Sequence, residues 1–397
     1  MNVAPPSGVP GSTPLTPSDF QRGLAAGDFV PSCAQGTGED VRCFAYVLTQ
    51  SGRIEAQRRA SLSAARKPAA TTASGYGPAN LQSAYGTAGV ASSGGSGRLV
   101  AIVDAYDDPN LESDLGVYRS HYGLPPCTTA NGCFEKVGQT GTNTVPRKSA
   151  SWSQEISLDV DMVSANCPNC HIVVVEANSA SFSDLATAEN TAASLGAVAI
   201  SNSYGGSESS SVATYASAYS HSGIAITVSN GDAGYGVESP ASYATVTAVG
   251  GTSLNTATNT RGWSETVWTG TGSGCSAYIA KPSWQTDPSC ARRMVGDVSY
   301  VADPYTGVAV YDSYAYQGLS GWLVFGGTSV GAPAIAAIYG LAGTTLSTAS
   351  NAYANTGALY DVTSGSNGTC TTTYFCNAVV GYDGPTGLGT PDGTTAF

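Results

Sequence analysis

The sequence predicts an α/β fold: a doubly wound, mostly parallel sheet flanked by helices, preceded by a short N-terminal leader segment. Two observations predict it. Apolar, β-branched runs recur at Arg98 to Asp104, His171 to Ala177, Ala197 to Ser201 and Ile224 to Ser229. They are continuous rather than alternating, as strands covered on both faces must be. Helical stretches such as Ser183 to Leu195 lie between them. That βαβα order puts functional groups at the carboxyl ends of the strands.

The chain divides unevenly. Residues 1–75 open Pro- and Ser-rich, carry one short apolar run (Cys43 to Leu48), then turn basic and Ala-rich from Arg58-Arg59 to Arg66-Lys67-Pro68-Ala69-Ala70. This composition reads as a leader or remnant pro-segment ending in a cleavable linker. One folded domain is expected over 76–397, and the 397 residues in all suffice for a sizeable core.

Only 11% of residues are charged, and the net charge of -12 leaves no basic footprint for nucleic acid or an anionic membrane surface. No stretch approaches the roughly 20 apolar residues of a membrane span. The opening, Met1-Asn2-Val3-Ala4-Pro5-Pro6, has neither a charged n-region nor an apolar h-region, so any signal peptide is expected to precede this numbering or to be lacking.

Ten cysteines fall as five local pairs: Cys33/Cys43, Cys127/Cys133, Cys167/Cys170, Cys275/Cys290 and Cys370/Cys376. Short loops closed by neighbouring cysteines suit an oxidising compartment, and a secreted protein is expected. Cys167-Pro168-Asn169-Cys170 also admits a redox or zinc reading. There is no second CxxC, however, and three histidines make a tetrahedral site hard to assemble.

Gly326-Gly327-Thr328-Ser329-Val330-Gly331-Ala332-Pro333 leads into an apolar helix from Ala334 to Tyr339. Small residues around one serine let backbones approach and set its hydroxyl at a helix N-terminus, where free N–H groups favour developing negative charge. A plain helix cap would use the same Thr and Ser. A nucleophilic serine needs a partner for its proton. The histidines are His121, His171 and His221, and none stands in a His-Gly-Thr setting.

Trp152 to Val163 offers a carboxylate partner instead. On a helix at about 100° per residue, Ile156, Leu158, Met162, Val163 and Ala165 define an apolar arc with Glu155 and Asp159 in its middle. Asp161, Ser157 and Ser164 fall on the opposite face, where solvent is expected. Two acids on a buried face are unfavourable unless they share a proton.

Together these motifs resemble the sedolisins, the serine-carboxyl peptidases with a subtilisin-like fold. The resemblance rests on the Glu155-x-x-x-Asp159 pair, on Ser229-Asn230-Gly231-Asp232-Ala233-Gly234 and on Gly327-Thr328-Ser329 with Pro333, in the family's order from about Gly75 onward. It implies Ser329 as nucleophile, Glu155 as its general base and acid, Asp159 orienting Glu155, and a protonated Asp232 donating to the oxyanion. Asp232 could otherwise close an Asx-turn. Asn230 replaces the serine more usual there.

The resemblance also implies a substrate edge at Ser203, Tyr204, Gly205 and Gly206, where extended peptide or protein substrates add as a strand. An ordinary βα turn would look alike. It implies one structural Ca2+ held by the Asp361 and Asp383 side chains and the carbonyls of Val362, Val379 and Gly381, a hard oxygen set. Gly- and Asp-rich turns also occur without metal. The expectation is therefore an acid-acting, secreted, monomeric serine endopeptidase. Two alternatives stand beside it: a histidine-dependent subtilisin-like hydrolase using Asp104, and a non-catalytic binding protein on the same fold.

Overall fold

The computed structural model describes residues 17–34, 40–62 and 74–397. The Pro- and Ser-rich opening and the basic tract from Arg66 to Ala70 lie outside the described residues.

Seven strands run parallel in the order Phe134–Gly138, His171–Ala177, Leu99–Ala105, Ala199–Asn202, Ala225–Ser229, Thr247–Thr256 and Val298–Val301. Trp263–Val267 adds an antiparallel partner to Thr247–Thr256. The expected strands are thus present, each within two residues of its expected bounds, and the fold is the doubly wound α/β class. Winding reverses between Leu99–Ala105 and Ala199–Asn202, which opens a crevice at their carboxyl ends.

The continuous apolar runs have a direct cause. Val100, Ile102, Ile172 and Val174 face one helical layer, Ala150–Asn166 and Gly331–Ala342. Ala101, Val103, Val173 and Val175 face the other, where Phe182–Ser194 packs. Both sides are covered, so both sets of alternate residues are apolar. No helix among the described residues is long and apolar enough to cross a membrane.

One expectation is overturned. Asp161 does not face solvent: it is 1% exposed, and every residue from Trp152 to Asn166 is buried. A second, four-stranded antiparallel sheet lies over the far side of that helix, through Val308–Tyr316 and Leu319–Gly326. Asp161 accepts a hydrogen bond from the Tyr311 N–H at 3.0 Å. Burial holds its carboxyl well above the usual range. Ser164 and Ser157 are also buried there, bonded to the Arg119 guanidinium and the Asp108 carboxylate.

All five local cysteine pairs are disulfides. Cys33–Cys43 closes a loop beside the short strands Phe29–Pro31, Arg42–Cys43 and Tyr46–Leu48. Phe29–Pro31 and Tyr46–Leu48 complete the second sheet, in the order 29–31, 46–48, 319–326, 308–316. Phe20, Phe29, Tyr46 and Leu48 anchor this N-terminal part in a buried cluster with Trp268, Tyr305 and Val324.

Candidate active site

Ser329 sits in a short 3-10 turn, Thr328–Val330, that opens directly into the helix Gly331–Ala342. The turn is entered through Gly327 at φ 103°, a backbone conformation that L side chains rarely adopt. A side chain there would also collide: its Cβ would lie 2.2 Å from the Phe44 carbonyl oxygen and 2.6 Å from Asp232 Oδ2. The glycine thus lets the Asp232 carboxyl and a peptide carbonyl meet beside Ser329.

Three expected residues converge on the serine. Glu155 is fully buried, and neither of its carboxylate oxygens has a hydrogen-bond partner of normal geometry among the described residues. Burial pushes its pKa well up, and the charge of Asp104 adds to the rise. The nearby Ser329 and Ser32 hydroxyls act the other way, favouring the charged form. Asp159, one turn on, accepts from the Ser203 hydroxyl at 2.9 Å. Burial raises its pKa too, with the neighbouring Glu155 second. Like charges so close in a dry site favour retaining a proton over full ionisation.

Asp232 stands just beyond the carboxyl end of Ala225–Ser229. Its Oδ1 accepts from the Thr328 N–H and hydroxyl, at 2.8 and 2.7 Å, while Oδ2 is unpartnered among the described residues. Burial, opposed by those two donors, pushes its pKa up to about 7. A proton on this group would therefore reside on Oδ2, the atom facing the carbonyl beside Ser329.

Asp104 is a fourth buried carboxyl of the same cluster, at the end of the central strand, and neither of its oxygens has a partner among the described residues. Burial and the charge of Asp159 raise its pKa. Sequence reading gave Asp104 only to the histidine alternative. Its place at the end of the central strand was the available signal that it joins the acids.

The histidines lie elsewhere. His171 begins its strand, at the opposite end from the crevice. His121 packs on Trp322, and His221 bonds the Ala218 carbonyl. Among the described residues none hydrogen-bonds Ser329, whose hydroxyl donates to the Ser203 carbonyl at 3.2 Å.

Comparison with known proteins places this geometry. No family model matches the chain. Sedolisin of Pseudomonas sp. (strain 101) is 34% identical over 166 residues, covering 36% of this chain and 27% of that protein. Xanthomonalisin of Xanthomonas sp. (strain T-22) is 34% identical over 173 residues, covering 36% of this chain and 20% of that protein. The matches thus span well under a third of either relative. The solved structure of Pseudomonas sedolisin, a serine-carboxyl proteinase complexed with two molecules of pseudo-iodotyrostatin, superposes with a TM-score of 0.67 at 27% identity, covering 81% of this chain and 96% of that one. In fold, and over part of its sequence, the chain is similar to the sedolisins. Fervidolysin of Fervidobacterium pennivorans, related to subtilisin, shares the fold alone, at 15% identity and a TM-score of 0.50 over 80% of this chain and 44% of that one.

Of the residues expected to form a substrate edge, Tyr204, Gly205 and Gly206 lie on the strand Tyr204–Ser207, with Ser203 just before it. Gly205 is buried and Gly206 half-buried on it, and the Tyr204 hydroxyl bonds Asn202 and Tyr219. Glu238–Ser239 pairs with one side of this strand and Arg42–Cys43 with the other. Arg42 and Gly205 are far apart in the chain, so no sequence pattern foretells that the N-terminal segment pairs with this strand.

Near the C-terminus, four of the residues expected to hold calcium, Asp361, Val379, Gly381 and Asp383, lie together. Asp361 accepts from the Gly381 N–H at 2.8 Å, and the buried Asp383 accepts from Val379 and Thr386. Burial pushes the pKa of Asp383 to about 7, and the charge of Asp361 contributes to the rise. Among the described residues no Lys or Arg pairs with either acid. Two neighbouring carboxylates with no Lys or Arg partner among the described residues are hard oxygen donors of the kind a Ca2+ site uses.

Proposed function

We propose that the chain is a secreted serine-carboxyl endopeptidase that acts in acid, cutting extended peptides through an acyl-enzyme on Ser329. The observation that carries this reading is a serine set among buried carboxyls, with every histidine elsewhere. In this mechanism Ser329 Oγ attacks the substrate carbonyl and passes its proton to Glu155. Glu155 then returns the proton to the leaving amine. Asp159, held by Ser203, orients Glu155 and shares charge with it. The Ser329 N–H and a protonated Asp232 Oδ2 stabilise the oxyanion. Substrate adds as a strand to Tyr204–Ser207, with main-chain bonds giving affinity. The five disulfides support an oxidising destination.

Acid action follows from Asp232, which donates only while protonated. Peptide cleavage followed from about pH 3 to 8, with product masses, is the direct test. Wild type should peak in acid, and Ser329→Ala should be inert throughout. Full activity at pH 8 without an acid optimum would sink the carboxylate mechanism.

Ca2+ at Asp361, Asp383 and the carbonyls of Val362, Val379 and Gly381 has a structural role in this reading: it would neutralise two neighbouring acids and pin the C-terminal loop. Chelation should lower Tm by roughly 3–4 °C, the equivalent of about 2.7 kcal/mol for an ion held at a hundredfold its Kd. Asp383→Ala should make Tm indifferent to added calcium. A Tm unmoved by chelator in the wild type would remove the ion from the account.

A further inference from the structure

We propose that residues 42–48, anchored by Phe29–Cys33, are an inhibitor built into the chain, lying in the substrate cleft in productive register with Phe44–Ala45 as its reactive peptide bond. The inference rests on the serine-carboxyl reading above and names what fills that site.

The register is set by main-chain bonds. Arg42 and Cys43 pair antiparallel with Gly205 and Tyr204. The Phe44 N–H points at both the Ser203 carbonyl (3.2 Å) and Ser329 Oγ (3.1 Å). The Phe44 carbonyl accepts from the Ser329 N–H at 3.0 Å and shares the face of Gly327 with the unpartnered Asp232 Oδ2. A carbonyl held by the nucleophile's own N–H, beside a carboxyl free to donate, occupies the position of the bond to be cut. The Phe44 ring is buried against Gly205, where an added methyl would stand 2.7 Å from it, so the pocket is filled by an aromatic side chain. Arg42 completes the contact with Glu238 at 3.1 Å.

What makes this segment an inhibitor rather than a passing substrate is that both sides of the bond are held. Before it, the Cys33–Cys43 disulfide lies against Glu155, with both sulfurs within 4.8 Å of a carboxylate oxygen. After it, the Ser32 N–H holds the Ala45 carbonyl at 3.0 Å. Tyr46–Leu48 is paired with Phe29–Pro31 on one side and with Phe325 and Gly326 on the other. The ladder between Phe29–Pro31 and Tyr46–Leu48 therefore spans the bond. If Ser329 Oγ attacks the Phe44 carbonyl carbon, its proton passes to Glu155 and on to the Ala45 nitrogen, the C–N bond breaks, and Phe44 becomes an ester of Ser329. The Ala45 amine stays where it was released, keeping water out. Its return attack re-forms the peptide, and its proton travels back through Glu155 to Ser329. Nothing is consumed, and the cleft stays shut.

The test uses the full chain and two independent readouts. One is turnover of a fluorogenic hexapeptide with Phe at the cleaved position, in wild type, Phe44→Asp, Arg42→Glu and Ser329→Ala. The other is amide hydrogen exchange over residues 42–48. A tethered segment at an effective concentration of order millimolar should hold wild-type turnover at least about tenfold below that of Phe44→Asp and Arg42→Glu. Exchange over 42–48 should be slow in wild type and Ser329→Ala, and faster in the other two variants. Turnover that depends on Ser329 but rises in neither variant would overturn the proposal, as would unprotected amides over 42–48 in wild type. Slow exchange there with no peptide cut by any variant upholds the occupied cleft and overturns the catalytic reading instead.

Discussion

Near pH 4, Glu155→Gln should lower kcat/KM by at least about a thousandfold, while His121→Ala, His171→Ala and His221→Ala each leave it within about twofold. The asymmetry follows from geometry. Gln keeps the shape and the hydrogen-bonding capacity of Glu155 but cannot carry the Ser329 proton. The three histidines lie outside the carboxyl cluster. The Phe44→Asp chain is the better background for this comparison, since an occupied cleft would compress the measurable range. A smaller loss is expected of Asp159→Asn, because Asn retains an oxygen able to accept from the Ser203 hydroxyl. Activity surviving Glu155→Gln but lost in one histidine variant would transfer the base role to that histidine.

The second large effect is on stability. A carboxyl whose folded pKa exceeds its unfolded value of about 4 keeps its proton in the folded chain after the unfolded chain has released it. Its contribution is whole below about pH 4 and is lost as pH climbs to the folded value. Those values are about 6 for Asp108, about 7 for Asp232, and about 8 for Glu176, Glu189 and Asp312, burial being the first cause in each. Asp104, Glu155, Asp159 and Asp161 shift in the same direction. Glu55 shifts the opposite way, held to about 2 by Arg58 and Arg59, but at the surface it offsets little. Tm should therefore fall by roughly 10 °C or more between pH 4 and pH 8. Asp161→Asn should recover part of the loss at pH 8, since Asn can still accept from Tyr311 and carries no charge. A Tm that rises across this interval would show that these acids ionise in the folded chain.

Much of the site could be read from residues alone, for reasons that are local. Glu155 and Asp159 are four positions apart, so any helix puts them on one face. Gly327-Thr328-Ser329 and the helix behind it are contiguous, and Asp232 follows its strand directly. What escaped was set by packing between distant segments. Asp161 reads as solvent-facing because a helical wheel contains no information about a second sheet laid over its outer side. That sheet is closed by Phe29–Pro31 and Tyr46–Leu48, some hundred residues earlier than the helix. Composition marks residues 1–75 as a leader, and no periodicity within them foretells that Arg42 and Cys43 pair with the substrate edge. The central strands were the easiest to find, because cover on both faces leaves few polar positions to confuse the pattern.

The disulfides carry a consequence for how the molecule is made. Their cysteines are separated by 10, 6, 3, 15 and 6 residues. None ties one layer of the sandwich to another by a long crossing. Each pair meets as soon as its own short stretch has been synthesised, so the nearest neighbour is also the native partner. Oxidation can then proceed segment by segment along the emerging chain, with little need for reshuffling. The long-range topology is left to strand pairing and burial. A loop of about 15 residues limits the unfolded ensemble by only about 3 kcal/mol, and shorter ones by less. Reducing agent should accordingly loosen individual loops before it unfolds the domain, and the Cys33–Cys43 disulfide, which lies beside Glu155, is one whose loss would be felt in function.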